Sequence, residues 1–302
     1  MSSIERAMKA RRGQSEEPQS REAPVQESAE SAEQAQKGAA NPDETPAPGG
    51  DSRSPRDAAY DGGGHIELDL PLLAQQGILN PNDPNRRLQE EYRMAKRPLL
   101  AHAFSYAAQG TAPGNLIQIT SSRDGEGKTF SVFNLGMSIA MELDYTVLLI
   151  DGDLTRRQLT RLAGLANRPG LTDVLEANAE GLSEAIVNTN VPHFRILPAG
   201  TVHPRSTELI ASGHMKALTE EVAARYPDRV VIFDSTPLLG DSQAATLATH
   251  MGQVLIVVEA GRTSEGQVKE SCNLLEHSPA RTGFLLNKSP QGYGSGYYYG
   301  KY

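Results

Sequence analysis

A glycine-rich segment that ends in lysine and threonine, SSRDGEGKT at residues 121–129, carries the residue types that bind phosphate groups. An apolar run precedes it and apolar residues at helical spacing follow it, which predicts the order strand, loop, helix. In that order, Gly125 and Gly127 let backbone N–H groups curl around phosphate oxygens, and the positive end of the helix points at them. We then expect Lys128 to reach the β- and γ-phosphates and Thr129 to hold Mg²⁺.

One position of this segment departs from the usual phosphate-binding motif. The pattern G-x-x-x-x-G-K-[ST] requires glycine where this chain has Ser122. A bare GKT tripeptide is common, so the alternative interpretation is an ordinary strand-to-helix turn whose glycines serve only geometry. Phosphate binding is favoured only if the other parts of a phosphoryl-transfer site follow along the chain.

Aspartates at the ends of two later apolar runs supply such parts. Asp151 and Asp153 end the first run, and Asp234 ends the second. Ligands of parallel α/β sheets collect outside the carboxyl ends of the strands, so these acids and Lys128 are expected to meet in one crevice. A single aspartate at such a place is more often a helix cap. Three of them after a GKT loop predict a phosphoryl-transfer site.

The elements that must position these residues alternate along the chain. Continuous apolar runs, separated by helical or loop segments, predict strands at residues 116–120, 145–150, 194–197, 230–233, 254–258 and 284–286. Runs without alternation are typical of a parallel sheet with both faces covered. We therefore predict a three-layer α/β domain of P-loop NTPase type, with a mostly parallel sheet, over residues 65–288.

The end of the last predicted strand carries a further candidate. Asn287 lies in LLNKS, where a side chain can contact a purine. A simple turn-starting asparagine explains the same position equally well.

The N-terminal part of the chain has a different composition. Residues 1–64 contain no Leu, Phe or Trp and are predicted to be disordered. Within them, residues 2–12 are either a short basic docking helix or a fraying terminus. An extension follows at residues 65–100, with a charged helix at residues 86–96 that is expected to stop near Pro98.

Glu90, Arg93 and Lys96 recur at every third position of this charged helix. From the spacing alone, a solvated face with internal ion pairs is the favoured interpretation.

Composition excludes several classes of function. The chain has 302 residues and a formal net charge of −8, without a basic run interleaved with aromatic residues, so nucleic acid is disfavoured as a partner. Cys272 is the only cysteine, which excludes an internal disulfide and a multi-cysteine metal site. The seven histidines lack ligand spacing. No apolar run approaches the roughly 18 residues of a membrane span and no signal peptide is evident, so a cytoplasmic location is expected.

The C-terminal segment, residues 289–302, is predicted to be a flexible Gly- and Ser-rich tail that holds half of the ten tyrosines. A low-complexity or adhesive segment is one interpretation. The other is that phenol oxygens on a tether serve as phosphate acceptors, and the tyrosines concerned are Tyr293, Tyr297, Tyr298, Tyr299 and Tyr302.

Taken together, SSRDGEGKT, VLLIDGD, VVIFDSTPLLGDSQA and the tyrosine cluster make the chain resemble the bacterial tyrosine autokinases of exopolysaccharide loci. It looks closest to their cytoplasmic, exosortase-associated type, and the resemblance runs from His65 to the end, including IELDL, QQGILNP and ILPAG. The resemblance implies ATP and Mg²⁺ as cofactors and an ATP-dependent kinase that phosphorylates its own tail in trans, regulating exopolysaccharide biosynthesis or export.

The resemblance also implies roles for single residues. Lys128, Asp151 and Asp153 become catalytic, and Thr129, Asp151 and Asp234 become metal ligands. Asp151 is expected either to take the tyrosine proton or to hold Mg²⁺ through water. The implied nucleotide contacts are Ser122, Gly125, Glu126, Gly127, Lys128, Thr129, Phe130 and Asn287.

Partners follow from the same resemblance. Glu90, Arg93 and Lys96 match a Glu-x-x-Arg-x-x-Arg element that joins subunits into a homo-oligomer, with lysine in place of the final arginine. Thr155 stands where the family usually has arginine, and Arg156 follows it. The implied activator is a membrane-anchored polysaccharide chain-length (co-polymerase) protein that recruits the kinase to the inner face of the membrane.

The competing hypothesis is a non-kinase P-loop ATPase switch of the MinD/ParA type. That group carries a signature lysine near Arg123, which this chain lacks, and has no need of a tyrosine cluster.

Overall fold

A computed structural model of the chain describes residues 63–81, 85–104, 113–178, 180–225 and 228–290. The predicted N-terminal disordered region up to residue 62, with its short basic helix, and the tail tyrosines lie outside the described residues. The strands are β1 (His65–Ile66), β2 (Leu116–Ser121), β3 (Thr146–Asp151), β4 (Val187–Thr189), β5 (Phe194–Leu197), β6 (Arg229–Asp234), β7 (Gln253–Glu259) and β8 (Arg281–Asn287).

Helices connect the strands. They are α1 (Leu70–Gln75), α2 (Arg86–Ala103), α3 (Lys128–Ala140), α4 (Gln158–Leu162), α5 (Leu171–Glu176), α6 (Leu182–Ala185), α7 (Ser206–Ile210), α8 (Gly213–Arg225), α9 (Ser242–Ala248) and α10 (Glu265–Leu274).

The strands form one sheet in the order β1-β4-β5-β3-β6-β2-β7-β8. Neighbouring strands are parallel except for β4 and β5, which are antiparallel. Strands β2, β3 and β6 are buried along their whole length, because helices cover both faces of the sheet. The prediction of a three-layer, mostly parallel P-loop NTPase fold is confirmed.

Alternate residues of the central strands enter two separate hydrophobic cores. Val147 and Leu149 of β3 pack with α2 and α3 on one face, whereas Leu148 and Ile150 pack with α8 and α9 on the other. Since side chains alternate across a strand, the two cores lie on opposite faces of the sheet. The site residues lie between these layers, at the carboxyl ends of the strands.

The helix expected to stop near Pro98 continues past it, so that prediction was wrong. Helix α2 runs to Ala103, with Pro98 inside it. Pro98 lacks the N–H that would bond to the carbonyl of Met94, an exposed residue, but the next turn buries Leu99 and Ala103 in the core. Burial of these two side chains therefore outweighs the lost hydrogen bond.

The three charged residues of α2 do not share one solvated face, contrary to expectation. Arg93 and Glu90 form an exposed ion pair. Lys96 is only 4% exposed, and its Nζ donates to the carbonyl of Ser138 and lies 2.7 Å from Glu142 Oε1. Lys96 thus joins α2 to the end of α3 within the chain.

In the part of the chain that is described, no helix is long and apolar enough to cross a membrane.

Candidate functional site

The segment between β2 and α3 has the geometry of a phosphate-binding loop. Gly125 and Gly127 have φ angles of 80° and 96°, a left-handed conformation that glycine adopts without steric cost. Helix α3 starts at Lys128, and Gly127 before it supplies no side-chain cap. The first backbone N–H groups of α3 are therefore available to an anion at the positive end of the helix.

Glu126 holds this loop from inside. Its side chain is 2% exposed, and its carboxylate accepts hydrogen bonds from the backbone N–H of Arg123 (2.9 Å) and from the hydroxyl of Thr263. The predicted nucleotide contact at Glu126 is therefore limited to its backbone, because the carboxylate is used to shape the loop.

Two side chains at the end of β8 hold the loop from the other side. The Asn287 amide donates to the carbonyl of Glu126 (2.9 Å), and Lys288 Nζ donates to the carbonyl of Gly125 (2.6 Å). Lys288 Nζ also lies 3.2 Å from Glu259 Oε2. The Asn287 amide thus binds the phosphate loop directly, and its purine contact stays a prediction.

Two further predicted contact residues are engaged in packing. Ser122 is fully buried, and its hydroxyl accepts a hydrogen bond from Ser271 at 2.9 Å, which explains how serine replaces the usual glycine. The ring of Phe130 is tilted against that of Tyr92, with centroids 6.5 Å apart. Any nucleotide contact at Phe130 is therefore expected from its backbone N–H.

The strand-end acids lie where the sequence predicted. Asp151 and Asp234 are in register as the last residues of β3 and β6. Thr129 donates its hydroxyl hydrogen bond to Asp234 Oδ2 at 2.6 Å, which joins the start of α3 to β6. Lys128 is 8% exposed and acts electrostatically on Asp234. The structure thus brings Lys128 and Thr129, which end the phosphate loop, close to the strand-end acids.

Asp151 is held by a residue that the sequence analysis missed. Thr160 of α4 donates its backbone N–H (2.8 Å) and its hydroxyl (2.6 Å) to Asp151 Oδ2, and it accepts from the N–H of Ala199 at 2.8 Å. No local sequence signal marks this threonine, because its role depends on how α4 packs against β3.

Burial shapes the chemistry of the acidic pair. Burial raises the pKa of Asp151 to about 6. Burial and the charge of Asp151 together raise the pKa of Asp234 well above its ordinary value. Among the described residues, Asp151 Oδ1 and Asp234 Oδ1 are buried without a hydrogen-bond partner. Two buried oxygens of this kind, on acids that resist ionisation, favour a bound cation.

These residues suit a Mg²⁺ site that is completed by phosphate groups better than a metal site made only of protein ligands. Within the described ranges no three His, Cys, Asp or Glu side chains converge on a metal position. Mg²⁺ is commonly held by one or two carboxylates, a hydroxyl and the substrate's phosphates, which is what Thr129 and Asp234 beside a phosphate loop provide.

Asp153 and Arg156 complete the site on the β3 side. Asp153 is 4% exposed, and its Oδ1 accepts the backbone N–H of Arg156 at 2.9 Å. The Arg156 guanidinium forms a bidentate ion pair with Asp124 of the phosphate loop.

Known proteins are similar to this chain in sequence and in fold. The model of the AAA domain family matches residues 114–278. Tyrosine-protein kinase CpsD of Streptococcus agalactiae is 30% identical over 175 residues, which are 57% of this chain and 75% of the relative. Tyrosine-protein kinase Ptk of Acinetobacter johnsonii is 31% identical over 244 residues, 75% of this chain, but the chain spans only 33% of that relative. The kinase domain of Escherichia coli tyrosine kinase ETK gives a TM-score of 0.61 at 28% identity, covering 80% of this chain and 94% of that domain.

Proposed function

The chain belongs to the AAA domain family, among the bacterial tyrosine-protein kinases, and we propose that it transfers the γ-phosphoryl group of ATP to tyrosine hydroxyls. The observation that carries the proposal is the meeting of Lys128 and Thr129, at the start of α3, with the register pair Asp151 and Asp234. A phosphate loop alone serves many functions, whereas this arrangement provides both a cation site and a free carboxylate oxygen.

The site would act mainly through charge. Phosphoryl transfer breaks the bond between Pγ and the bridging oxygen of ADP and forms a bond to the tyrosine oxygen, and charge is spread over the moving group. Lys128 and the N-terminus of α3 bind that charge in a buried setting, where such contacts are strong. Thr129 and Asp234 would hold Mg²⁺, which would supply positive charge to the phosphate oxygens.

The proton of the tyrosine hydroxyl must leave during transfer. We assign its acceptance to Asp151 Oδ1, since Thr160 occupies only the other oxygen. A pKa of about 6 places this carboxyl near the range in which general bases work best. The negative charge of Asp153, two residues further along the chain, adds to the effect of burial in raising the pKa of Asp151.

The proposed acceptors are Tyr293, Tyr297, Tyr298, Tyr299 and Tyr302 of the tail, phosphorylated by a neighbouring subunit. Lys128 and the last residue of β8 both lie at the carboxyl ends of the strands. At most about 3.5 Å per residue is available to the few residues between Asn287 and Tyr293. So short a connection disfavours a return of the first tyrosine to its own site. Exposed Glu90 and Arg93 remain the proposed subunit contact, while the buried Lys96 does not support one.

We further propose the setting that the sequence resemblance implies. The chain is assigned to the exosortase-associated type, located in the cytoplasm, where a membrane-anchored polysaccharide co-polymerase activates it at the inner face of the membrane. Its activity then regulates exopolysaccharide biosynthesis or export. IELDL, QQGILNP and ILPAG support the assignment of type.

A mixing experiment tests the function and its direction. Lys128→Met protein that keeps its tail is combined with active protein lacking residues 291–302, with Mg²⁺ and ATP, and phosphotyrosine is located by mass spectrometry. We expect phosphate on the tail of the inactive partner. Lys128→Met alone should lose roughly a hundredfold in rate, whereas Lys269→Met, at an exposed lysine of α10, should not.

Two results would contradict the proposal in different ways. ATP hydrolysis by the intact protein without any phosphotyrosine would favour the ATPase switch. An unlabelled inactive partner, with the intact enzyme still modifying itself, would show that transfer occurs within one subunit.

A further inference from the structure

An ion pair spans the mouth of the proposed phosphate site. Asp124 belongs to the phosphate loop, and Arg156 belongs to the loop after β3, three positions beyond Asp153. The Arg156 guanidinium donates to both carboxylate oxygens of Asp124. The two side chains are 49% and 50% exposed, so the pair lies at the surface of the crevice and can open without disturbing the core.

Charged residues of the site also shift the pKa of both partners of this ion pair. The hydrogen bond from Arg156 holds the pKa of Asp124 below its ordinary value, and the charge of Lys128 acts in the same direction. The pKa of Arg156 is raised first by its hydrogen bond to Asp124, and the charge of Asp153 adds to the effect. The guanidinium therefore lies beside charged residues of the proposed phosphate site.

The backbone beneath Arg156 is fixed although its head is exposed. Asp153 accepts the N–H of Arg156 on its side chain (2.9 Å) and the N–H of Arg157 on its carbonyl (2.8 Å). A side chain with an anchored base and a solvated head can change partners at little cost.

We propose that Arg156 is a phosphate-binding residue whose guanidinium exchanges the carboxylate of Asp124 for oxygens of the terminal phosphate when ATP binds. The proposal rests on the proposed function, because it requires ATP in the loop. Arg156 stands on the side of the crevice formed by β3 and β6, where the acids and the cation site lie, and that is the side of the transferred phosphoryl group. ADP has no group there, so Arg156 distinguishes ATP from ADP.

The exchange is favourable on general grounds. An exposed ion pair contributes a factor of about five or less to an equilibrium. The planar guanidinium binds phosphate in the same two-pronged geometry as a carboxylate, and phosphate carries more charge. Asp124 is half-exposed, so water replaces the hydrogen bonds that its carboxylate loses. After the exchange, this carboxylate no longer lies between the guanidinium of Arg156 and the phosphate.

Equilibrium binding tests the proposal without relying on activity. Titration calorimetry with Mg²⁺ measures the affinities of the full chain for ADP and for a non-hydrolysable ATP analogue. Arg156→Gln should weaken binding of the analogue about tenfold and leave ADP nearly unchanged. Arg156→Lys should fall between, since a lysine lacks the planar fork.

Asp124→Asn supplies a result that a merely structural ion pair would not give. Because it removes the competing carboxylate, it should tighten analogue binding about fivefold, and this gain should vanish in the double variant with Arg156→Gln. Arg87→Gln is the matched control, because Arg87 forms an exposed ion pair with Glu91 on α2, 2.8 Å apart, outside the site. It should change neither affinity.

The outcomes separate the two proposals. A parent protein that binds neither nucleotide overturns the proposed function and this inference with it. A different set of results overturns only the role of Arg156. In it, the parent protein binds both nucleotides and Lys128→Met weakens this binding, but Arg156→Gln keeps the parent's ratio of the affinities for ADP and for the ATP analogue. Weaker analogue binding in Asp124→Asn also overturns it.

Discussion

Asp151 and Asp234 lie side by side at the ends of β3 and β6, and among the described residues each keeps one buried carboxylate oxygen without a hydrogen-bond partner. Burial of two carboxyl groups on neighbouring strands disfavours the ionised form of both. The pair therefore opposes folding at neutral pH until a cation joins it, which ties the stability of the protein to its chemistry.

The first prediction concerns pH. The folded-state pKa of Asp151, about 6, is above its ordinary value of 3.8. The folded protein thus holds more protons than the unfolded chain between these values, and its free energy of unfolding falls as pH rises through that window. Asp151→Asn should raise the free energy of unfolding of the metal-free protein by on the order of 1–2 kcal/mol at pH 7.5. The gain should shrink toward pH 4, as measured by urea denaturation.

Asp144→Asn is the control for this series, because Asp144 is exposed. Equal gains for Asp151→Asn at pH 4 and pH 7.5 would contradict a burial penalty on the ionised carboxyl.

The second prediction concerns Mg²⁺. If Thr129 and Asp234 hold the cation, Asp234→Asn should lose most of the additional thermal stabilisation that Mg²⁺ gives to the complex with ADP. The affinity for ADP measured with EDTA should change far less, because the loop and Lys128 remain. A Mg²⁺-dependent shift in melting temperature equal to that of the parent protein would remove Asp234 from the metal site.

The third prediction concerns the conformation of the phosphate loop. A Cβ at position 127 would lie 2.2 Å from Asn287 Nδ2, on a backbone with φ of 96°. Gly127→Ala should lower the free energy of unfolding by about 1–3 kcal/mol and weaken nucleotide binding. Adding Asn287→Ala should relieve the steric part and leave the strain of the positive φ.

Gly266→Ala provides the matched control on α10. The nearest atom that its Cβ would meet is Ser264 Oγ, at 3.8 Å. Because alanine is the better helix former, this variant should be neutral or more stable by up to about 1 kcal/mol. Equal losses in both glycine variants would point to a general effect of alanine rather than to the loop.

The fourth prediction separates the two bases of α2. Lys96→Met leaves the carbonyl of Ser138 and Glu142 without their buried cation, so it should lower the free energy of unfolding by about 1–3 kcal/mol. Arg93→Gln breaks only an exposed pair and should change it by less than about 0.5 kcal/mol. Urea denaturation measures both.

Arg93→Glu then tests the proposed subunit contact by light scattering. A smaller oligomer with unchanged unfolding is expected. An unchanged oligomer size would indicate that Glu90 and Arg93 form an ordinary solvated ion pair and no subunit contact.

Patterns that depend on local sequence predicted the structure well. The phosphate loop and the strands that end in Asp151 and Asp234 were predicted within a residue or two, because continuous apolar runs and glycines determine them directly. Strands β1 and β4, with two and three residues, were missed because no periodicity can be read from so few positions.

Features that depend on contacts distant in sequence could not be predicted in the same way. Pro98 was expected to end α2, but burial of the turn after it decided the outcome. The spacing of Lys96 gave no indication that Glu142 would face it. The contacts of Thr160 and Lys288 with the site likewise join segments far apart in the chain.

Strand β8 lies at one edge of the sheet, and Lys288, the residue after it, is hydrogen-bonded to the phosphate loop. In mechanical terms, the chain that continues beyond Pro290 is attached to the domain both through the pairing of β8 with β7 and through that loop. A pull on this end acts on the carbonyls of Gly125 and Glu126 as well as on the pairing of β8 with β7. A pull on β1, at the opposite edge, crosses the four strands between β1 and β2 before it reaches the same backbone. Fused domains, surface tethers and docked partners at the C-terminal end thus exert tension on the nucleotide-binding backbone itself.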